Sequence, residues 1–276
     1  MGWFVSSLHL APPEQLRMIY NIEVDQVTVQ TLLTLNRVFY QTFAANFSAT
    51  RMRIQPGVRC ILAGVEQQAH ILDLGCGNGE AAFFLANNGY QGLYLGLDLS
   101  AELLSYARDR LAGQPRYTFS QVDLGESDWH LRPDLGDAAD GGKFDLILAF
   151  AVLHHLPGSD LHLRTCRSVY QLLKPGGRFI HSNWQFLNSD RLRRRIQPWE
   201  SAGLDPADLE PGDYLLDWRQ GGRGLRYVHH FDPHELTALA RRAGFEQIDC
   251  FHSDGEGGNL GLYQVWQKET PEAEQL

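Results

Sequence analysis

Ile71-Leu72-Asp73-Leu74-Gly75-Cys76-Gly77-Asn78-Gly79-Glu80 decides the architecture. Its short apolar run, led in by Ala69-His70, reads as a buried parallel strand. Glycines follow at once, and Glu80 to Ala86 reads as a helix. Strand, glycine turn and helix make the first crossover of a nucleotide-binding α/β sheet. Gly75 permits a turn few side chains could follow, and Gly77 lets the backbone come close to a ligand. The helix start offers free N–H groups to a negatively charged group. A dinucleotide needs Gly-x-Gly-x-x-Gly. Here the spacing is Gly75-x-Gly77-x-Gly79, and Glu80 stands where a pyrophosphate would lie. A ligand with adenine, a sugar and an amino-acid tail tolerates that acid. Glycine turns also serve purely structural ends, so the stretch needs support from its surroundings.

Downstream, Tyr94-Leu95-Gly96-Leu97-Asp98 reads as strand two. Asp98 falls about twenty residues past the glycines, where a carboxylate can accept from two ribose hydroxyls. Ser100 caps the next helix, with Glu102 in its first turn. Strand three spans Tyr117 to Val122, and the acid that follows, in Asp123-Leu124, can accept from an adenine amino group. Gly136 to Gly142 is a loop by composition. Strand four is Phe144 to Phe150, leading into Ala151-Val152-Leu153-His154-His155. A helix over Asp160–Leu173, closed by Lys174-Pro175-Gly176-Gly177, precedes strand five at Arg178–Ser182. Asp232-Pro233-His234-Glu235 is a capping-box start, and Gly244 stops that helix. Gln247–Phe251 and Leu262–Trp266 form a last strand pair.

The expected fold is an α/β, doubly wound, mostly parallel sheet occupying 60–268. Residues 1–59 add an N-terminal helical extension. Its helix begins near Val24 and puts Leu32, Leu35, Phe39 and Phe43 on one face, to pack against the sheet domain. A second short helix follows Pro56. Residues 183–231 are too long for a plain connection and form an insertion or lid. The tail, 269–276, is acidic and frayed.

The formal charge of -9 argues against unaided binding to a nucleic-acid backbone. Four scattered cysteines make no zinc or dithiol pattern and fit a reducing, cytoplasmic setting. No metal site is expected. No signal peptide is expected from Met1 to Leu10, and no apolar run is long enough to span a membrane.

Asp73-x-Gly75-x-Gly77-x-Gly79, Asp98, Asp123 and Leu172-Leu173-Lys174-Pro175-Gly176-Gly177 together resemble the class I S-adenosylmethionine-dependent methyltransferases. The resemblance covers about residues 60–182. It implies a seven-stranded sheet with its last strand antiparallel, and S-adenosyl-L-methionine as cofactor. The cofactor's methionine end would lie near Asp73, Gly75, Cys76, Gly77 and Gly79. Its ribose would lie at Asp98 beside Leu99, and its adenine near Asp123 and Leu124, with Phe150 completing the set. A narrower likeness is to the tRNA methyltransferases that esterify a carboxymethyl group on the wobble uridine, including the methyltransferase domain of an AlkB-like protein. Phe47-Ser48-Ala49-Thr50-Arg51, Ala151-Val152-Leu153-His154-His155, Pro211-Gly212-Asp213-Tyr214 with Trp218, and Arg226-Tyr227-Val228-His229-His230-Phe231 carry it. That family works with a small activating protein partner.

Methyl transfer from a sulfonium needs alignment and exclusion of water more than activation. Phe150-Ala151-Val152 replaces the Asn/Asp-Pro-Pro-aromatic turn used on exocyclic amines, which disfavours an amine acceptor. A carboxylate is already ionised and needs only cations to place it. His154 and His155, at the carboxyl edge of the sheet, are candidates for base or donor; alternatively one packs inward and one caps a helix. Arg51 and Arg226 are candidates to clamp an anion, or else ordinary ion pairs. His229 is ambiguous in the same way. Arg191-Leu192-Arg193-Arg194-Arg195, among Trp184 and Trp199, suits single-stranded RNA or a solvated lid helix, and charge runs usually stay solvated. The expected function is therefore O-methylation of a carboxylate, on a tRNA or on a small metabolite. A protein that binds the cofactor without catalysis is the remaining alternative.

Overall fold

A computed structural model describes residues 24–50, 53–135 and 143–270. The expectations for residues 1–23, for Arg51, for the 136–142 loop and for most of the tail lie outside that set.

In chain order the elements are α1 (Gln26–Thr50), α2 (Pro56–Ala63), β1 (Ile71–Leu74), α3 (Glu80–Asn87), β2 (Tyr94–Asp98), α4 (Ala101–Arg110), β3 (Tyr117–Gln121) and β4 (Phe144–Phe150). Then follow α5 (Ser159–Leu172), β5 (Leu173–Trp184), α6 (Asp190–Arg193), β6 (Ile196–Gln197), β7 (Asp213–Trp218), β8 (Gly224–His229), α7 (Pro233–Ala243), β9 (Phe245–Ser253) and β10 (Gly261–Lys268). One sheet has seven strands in the order β3-β2-β1-β4-β5-β10-β9. The contacts among β1 to β5 are parallel, and β10 runs antiparallel to both its neighbours. This is the expected doubly wound sheet. Its winding reverses between β1 and β4, and ligands bind beyond the strand ends at such a reversal.

Most local signals act as expected. The Ser100 hydroxyl accepts from Leu103 N at 3.2 Å and starts α4. Asp232 Oδ1 accepts from Glu235 N at 2.9 Å and starts α7. Strand five differs. It begins at Leu173, which pairs with Phe144, and resumes with Arg178 opposite Leu146. The Lys174–Gly177 turn is thus an irregularity within the strand instead of a break before it.

The larger difference concerns α1. Its face of Leu32, Phe39 and Phe43 is buried, but mainly against the insertion. There β6, β7 and β8 make a separate three-stranded antiparallel sheet. Leu32 packs with Leu209 and Tyr227, while Phe39 and Phe43 pack with Trp218. The Phe39 and Trp218 rings meet edge to face at 5.5 Å. Burying side chains of this size is worth about 1.5–3 kcal/mol each. Leu33, one position round the helix, joins the main core instead. The first helix and the late insertion therefore share apolar cores and form one cap over the strand ends. The Arg191–Arg195 run contributes only the single turn α6, which contains the buried Leu192.

Candidate active site

A cavity of about 260 Å³ lies between the strand ends and the cap. Its floor comes from the segments after β1, β2, β3 and β4, and α1 roofs it. Of the residues singled out in the sequence, Asp73, Gly75, Cys76, Gly77, Asp98, Leu99, Asp123, Leu124, Phe150 and His155 all line it.

The floor is acidic. Asp73 is buried and accepts from the Tyr94 hydroxyl. Burial raises its carboxyl to about 7, the Tyr94 bond opposes the rise, and the Asp98 charge adds to it. Asp98 accepts from Gly77 N through one oxygen and from Ser100 N through the other, each at 2.8 Å. Burial still pushes its carboxyl up against these backbone bonds. A carboxylate has about four acceptor positions, so both oxygens retain capacity for a hydroxyl. Among the described residues neither acid forms an ion pair. Asp123 differs: Arg37 of α1 salt-bridges one oxygen, and Gly125 N donates to the other at 2.9 Å. Glu80 is paired with Arg110 at 2.7 Å.

Gly77 has φ +55°, and a Cβ built there meets nothing within 4 Å. Its bareness faces open space, as a ligand contact requires. Gly79, expected in the same group, does not line the cavity. A Cβ on it would lie 2.8 Å from the Cβ of Ala107, so it serves the close approach of α3 to α4. At the end of β4, Ala151 has φ 58°, a left-handed conformation rare outside glycine. Its N–H donates to the Ser182 carbonyl at 3.0 Å and lies 3.1 Å from the Ser182 hydroxyl.

The histidines separate. His155 lines the cavity. Its Nδ1 lies 3.2 Å from the Tyr227 carbonyl and must be the protonated nitrogen. Its Nε2 then accepts from the Tyr40 hydroxyl at 2.7 Å. His154 is buried behind it, with Nδ1 accepting from Trp184 N at 3.4 Å. The inward-packing role applies to His154.

Two further candidates leave the site. Arg226 is buried in the cap, its guanidinium 4.7 Å from the Trp184 ring centroid, 5.5 Å from Phe39 and 5.7 Å from Trp218. It organises an aromatic cluster and does not line the cavity. His229 is also buried, with Nδ1 2.6 Å from Asp213 and Nε2 3.0 Å from Glu235. Burial opposes its charge, but the two carboxylates prevail and raise it to about 10. A cation held that way is no base at neutral pH. It joins the cap to α7 through Glu235.

Sequence reasoning missed the roof. Leu33, Asn36, Arg37 and Tyr40 fall at i, i+3, i+4 and i+7 of α1 and all line the cavity. The clue was a second, polar stripe beside the apolar one. Arg53 and Gln55, between α1 and α2, line it as well.

The family of methyltransferase domains matches residues 72–179. A trans-aconitate 2-methyltransferase of Acidovorax ebreus is 37% identical over 127 residues, 45% of this chain and 42% of its own length. A tRNA (carboxymethyluridine(34)-5-O)-methyltransferase of Arabidopsis thaliana is 30% identical over 150 residues, covering 52% of this chain. The chain spans only 31% of that relative's length. Among solved structures, a complex between the Haloferax volcanii Trm112 methyltransferase activator and a methyltransferase matches with a TM-score of 0.61. The identity is 17%, over 86% of this chain and 99% of that one, a likeness of fold.

Proposed function

We infer that this chain, which belongs to the class I S-adenosylmethionine-dependent methyltransferases, transfers the methyl group to a carboxylate oxygen of its acceptor. The observation that carries this reading is the state of His155, the histidine that, among the described residues, lines the cavity. Both its ring nitrogens are already engaged, by the Tyr227 carbonyl and the Tyr40 hydroxyl. A phenol or alcohol acceptor needs a base within reach. A carboxylate, ionised above about pH 4–5, does not.

The floor suits the cofactor. Asp73, buried, and Asp98, half-buried, are acids without a cationic partner among the described residues, and a ligand carrying a sulfonium and an ammonium group relieves that. When bound, the cofactor supplies an electrophilic methyl group. Asp98 accepts from the ribose hydroxyls. Asp123 and Leu124 border the adenine, and Asp73, Gly75, Cys76 and Gly77 surround the methionine end. Phe150 and the α1 roof exclude water. His155 and Tyr40 position the acceptor, and Arg53 supplies positive charge at the rim. Arg51, which lies outside the described residues, remains a candidate for the same task.

Two acceptors follow from the relatives. The Arabidopsis enzyme's name specifies a carboxymethyluridine of tRNA, and the Acidovorax enzyme's a small polycarboxylate. The arginines at 191–195 favour the tRNA, and the likeness to a chain complexed with an activator favours the aid of a small partner protein. The deciding experiment uses cofactor labelled in its methyl group. A methyl ester releases labelled methanol in mild alkali, whereas an ether or methylamine retains its label. Alkali-stable product refutes the carboxylate. Binding to tRNA that is absent or indifferent to salt refutes the tRNA and leaves the metabolite.

A further inference from the structure

The roof is fastened unequally along its two edges. On one edge the buried Asn36 amide donates to the carbonyls of His155, at 3.0 Å, and Tyr227, at 3.2 Å. Its Oδ1 accepts from Tyr227 N at 2.8 Å. On the opposite edge Arg37 reaches down to Asp123, and the Arg37 side chain is 41% exposed. Beyond that ion pair lies a second, polar hollow of about 900 Å³. Leu33, Arg37, Leu99, Val122 and Asp123 line both it and the cavity. The two hollows thus adjoin along these residues.

We propose that this polar hollow is the cofactor's way in and out, and that Arg37 is the residue that shuts it. The proposal rests on the reading of the cavity as the cofactor site with its adenine edge at Asp123 and Leu124. Lifting the Asn36 edge would strip a buried backbone N–H and two carbonyls of their partners, which is costly. Opening the Arg37 edge breaks one half-exposed ion pair, which is weak and screened by salt. A long side chain swinging outward requires no backbone movement. The hollow's amide walls, Gln26, Gln30 and Gln121 among them, suit the passage of a charged, hydroxyl-bearing molecule. Once closed, Arg37 holds one Asp123 oxygen while Gly125 N holds the other, so the gate also sets the acid beside the adenine.

The test is stopped-flow binding of S-adenosylhomocysteine to the full chain, read by tryptophan fluorescence. In Arg37→Ala, association and dissociation should both quicken roughly two- to fivefold, the scale of a half-exposed ion pair, while Kd changes less than either rate. Added salt should quicken exchange in the unaltered chain and leave Arg37→Ala indifferent. Arg37→Lys, which keeps the charge, should retain near-original rates. Unchanged rates in Arg37→Ala overturn the gate. So does faster dissociation alone, which would make Arg37 a mere affinity contact, or a salt response that survives in Arg37→Ala. If the unaltered chain does not bind S-adenosylhomocysteine, the cofactor reading itself fails, and the gate with it.

Discussion

The floor and the roof of the cavity are built on different principles. The floor is made of strand ends, and Asp73, Asp98 and Asp123 each lie within two residues of the end of a parallel strand. Its contacts run between neighbours in a ladder: Asp73 on β1 pairs in register with Gly96 on β2, two residues before Asp98. The roof is made of two pieces far apart in the chain, joined by buried polar and aromatic contacts. Asn36 meets Tyr227 across 191 positions. The floor is a property of the sheet and can exist without its ligand. The roof is a property of association between segments. Substitutions in the floor should therefore act first on ligand affinity, with a small effect on folding, and substitutions in the roof on folding and exchange.

The sharpest way to break that division is at the roof's anchor. Asp213 accepts from the Tyr227 hydroxyl at 2.7 Å and faces the His229 cation. Asp213→Ala leaves that buried cation half-compensated and should destabilise the fold by about 3–5 kcal/mol, read by urea denaturation. A loss below about 1 kcal/mol would mean that the network contributes nothing to the cap. Next is the floor: Asp98→Ala should weaken cofactor binding by about 2–4 kcal/mol in calorimetry, two hydrogen bonds to a charged group being lost. Unchanged affinity would show the ribose to lie elsewhere. Asn36→Ala should cost about 1–3 kcal/mol of stability, because the buried Tyr227 N–H loses its acceptor. An effect confined to cofactor affinity would assign Asn36 to the floor's kind of role.

The smallest effect concerns pH. Burial raises the Asp73 carboxyl to about 7 from 3.8. A raised acid contributes stability that is complete below its ordinary range and lost as pH rises through 7. Asp73→Asn removes this dependence. The variant should melt about a few degrees above the unaltered chain at pH 8, and the gap should narrow by pH 5. A gap equal at both values would mean that Asp73 keeps an ordinary carboxyl. For His229, raised to about 10, the stability due to its ion pairs is complete below about 6.5 and lost only as pH rises through 10. The cap should thus stay anchored across the range in which Asp73 titrates.

This contrast also explains what could be read in advance. The floor was legible because strand, glycine turn and helix follow one another within ten residues, and their patterns are local. Asp98, Asp123 and the bounds of β2 and β4 followed from apolar runs ending in an acid or a turn. Gly79 was misassigned because a glycine needed for helix approach looks the same in sequence as one needed for a ligand. His229 and Arg226 were misassigned because their partners, Asp213, Glu235 and three aromatic rings, come from other elements. The amphipathic pattern of α1 showed that it buries a face, but periodicity names no partner. Its second stripe, with Asn36, Arg37 and Tyr40, lines a cavity that exists only once α1 lies over the strand ends.

That docking sets a schedule on the ribosome. Phe39 and Phe43 emerge early, but the strand carrying Trp218 is made about 175 residues later. At about 5–20 residues per second this is a wait of roughly ten to thirty-five seconds. Through that interval the nascent first helix carries an oily stripe with no native mate, a binding target for chaperones and a point of vulnerability to aggregation. The half of the pocket translated first is thus the last to be completed.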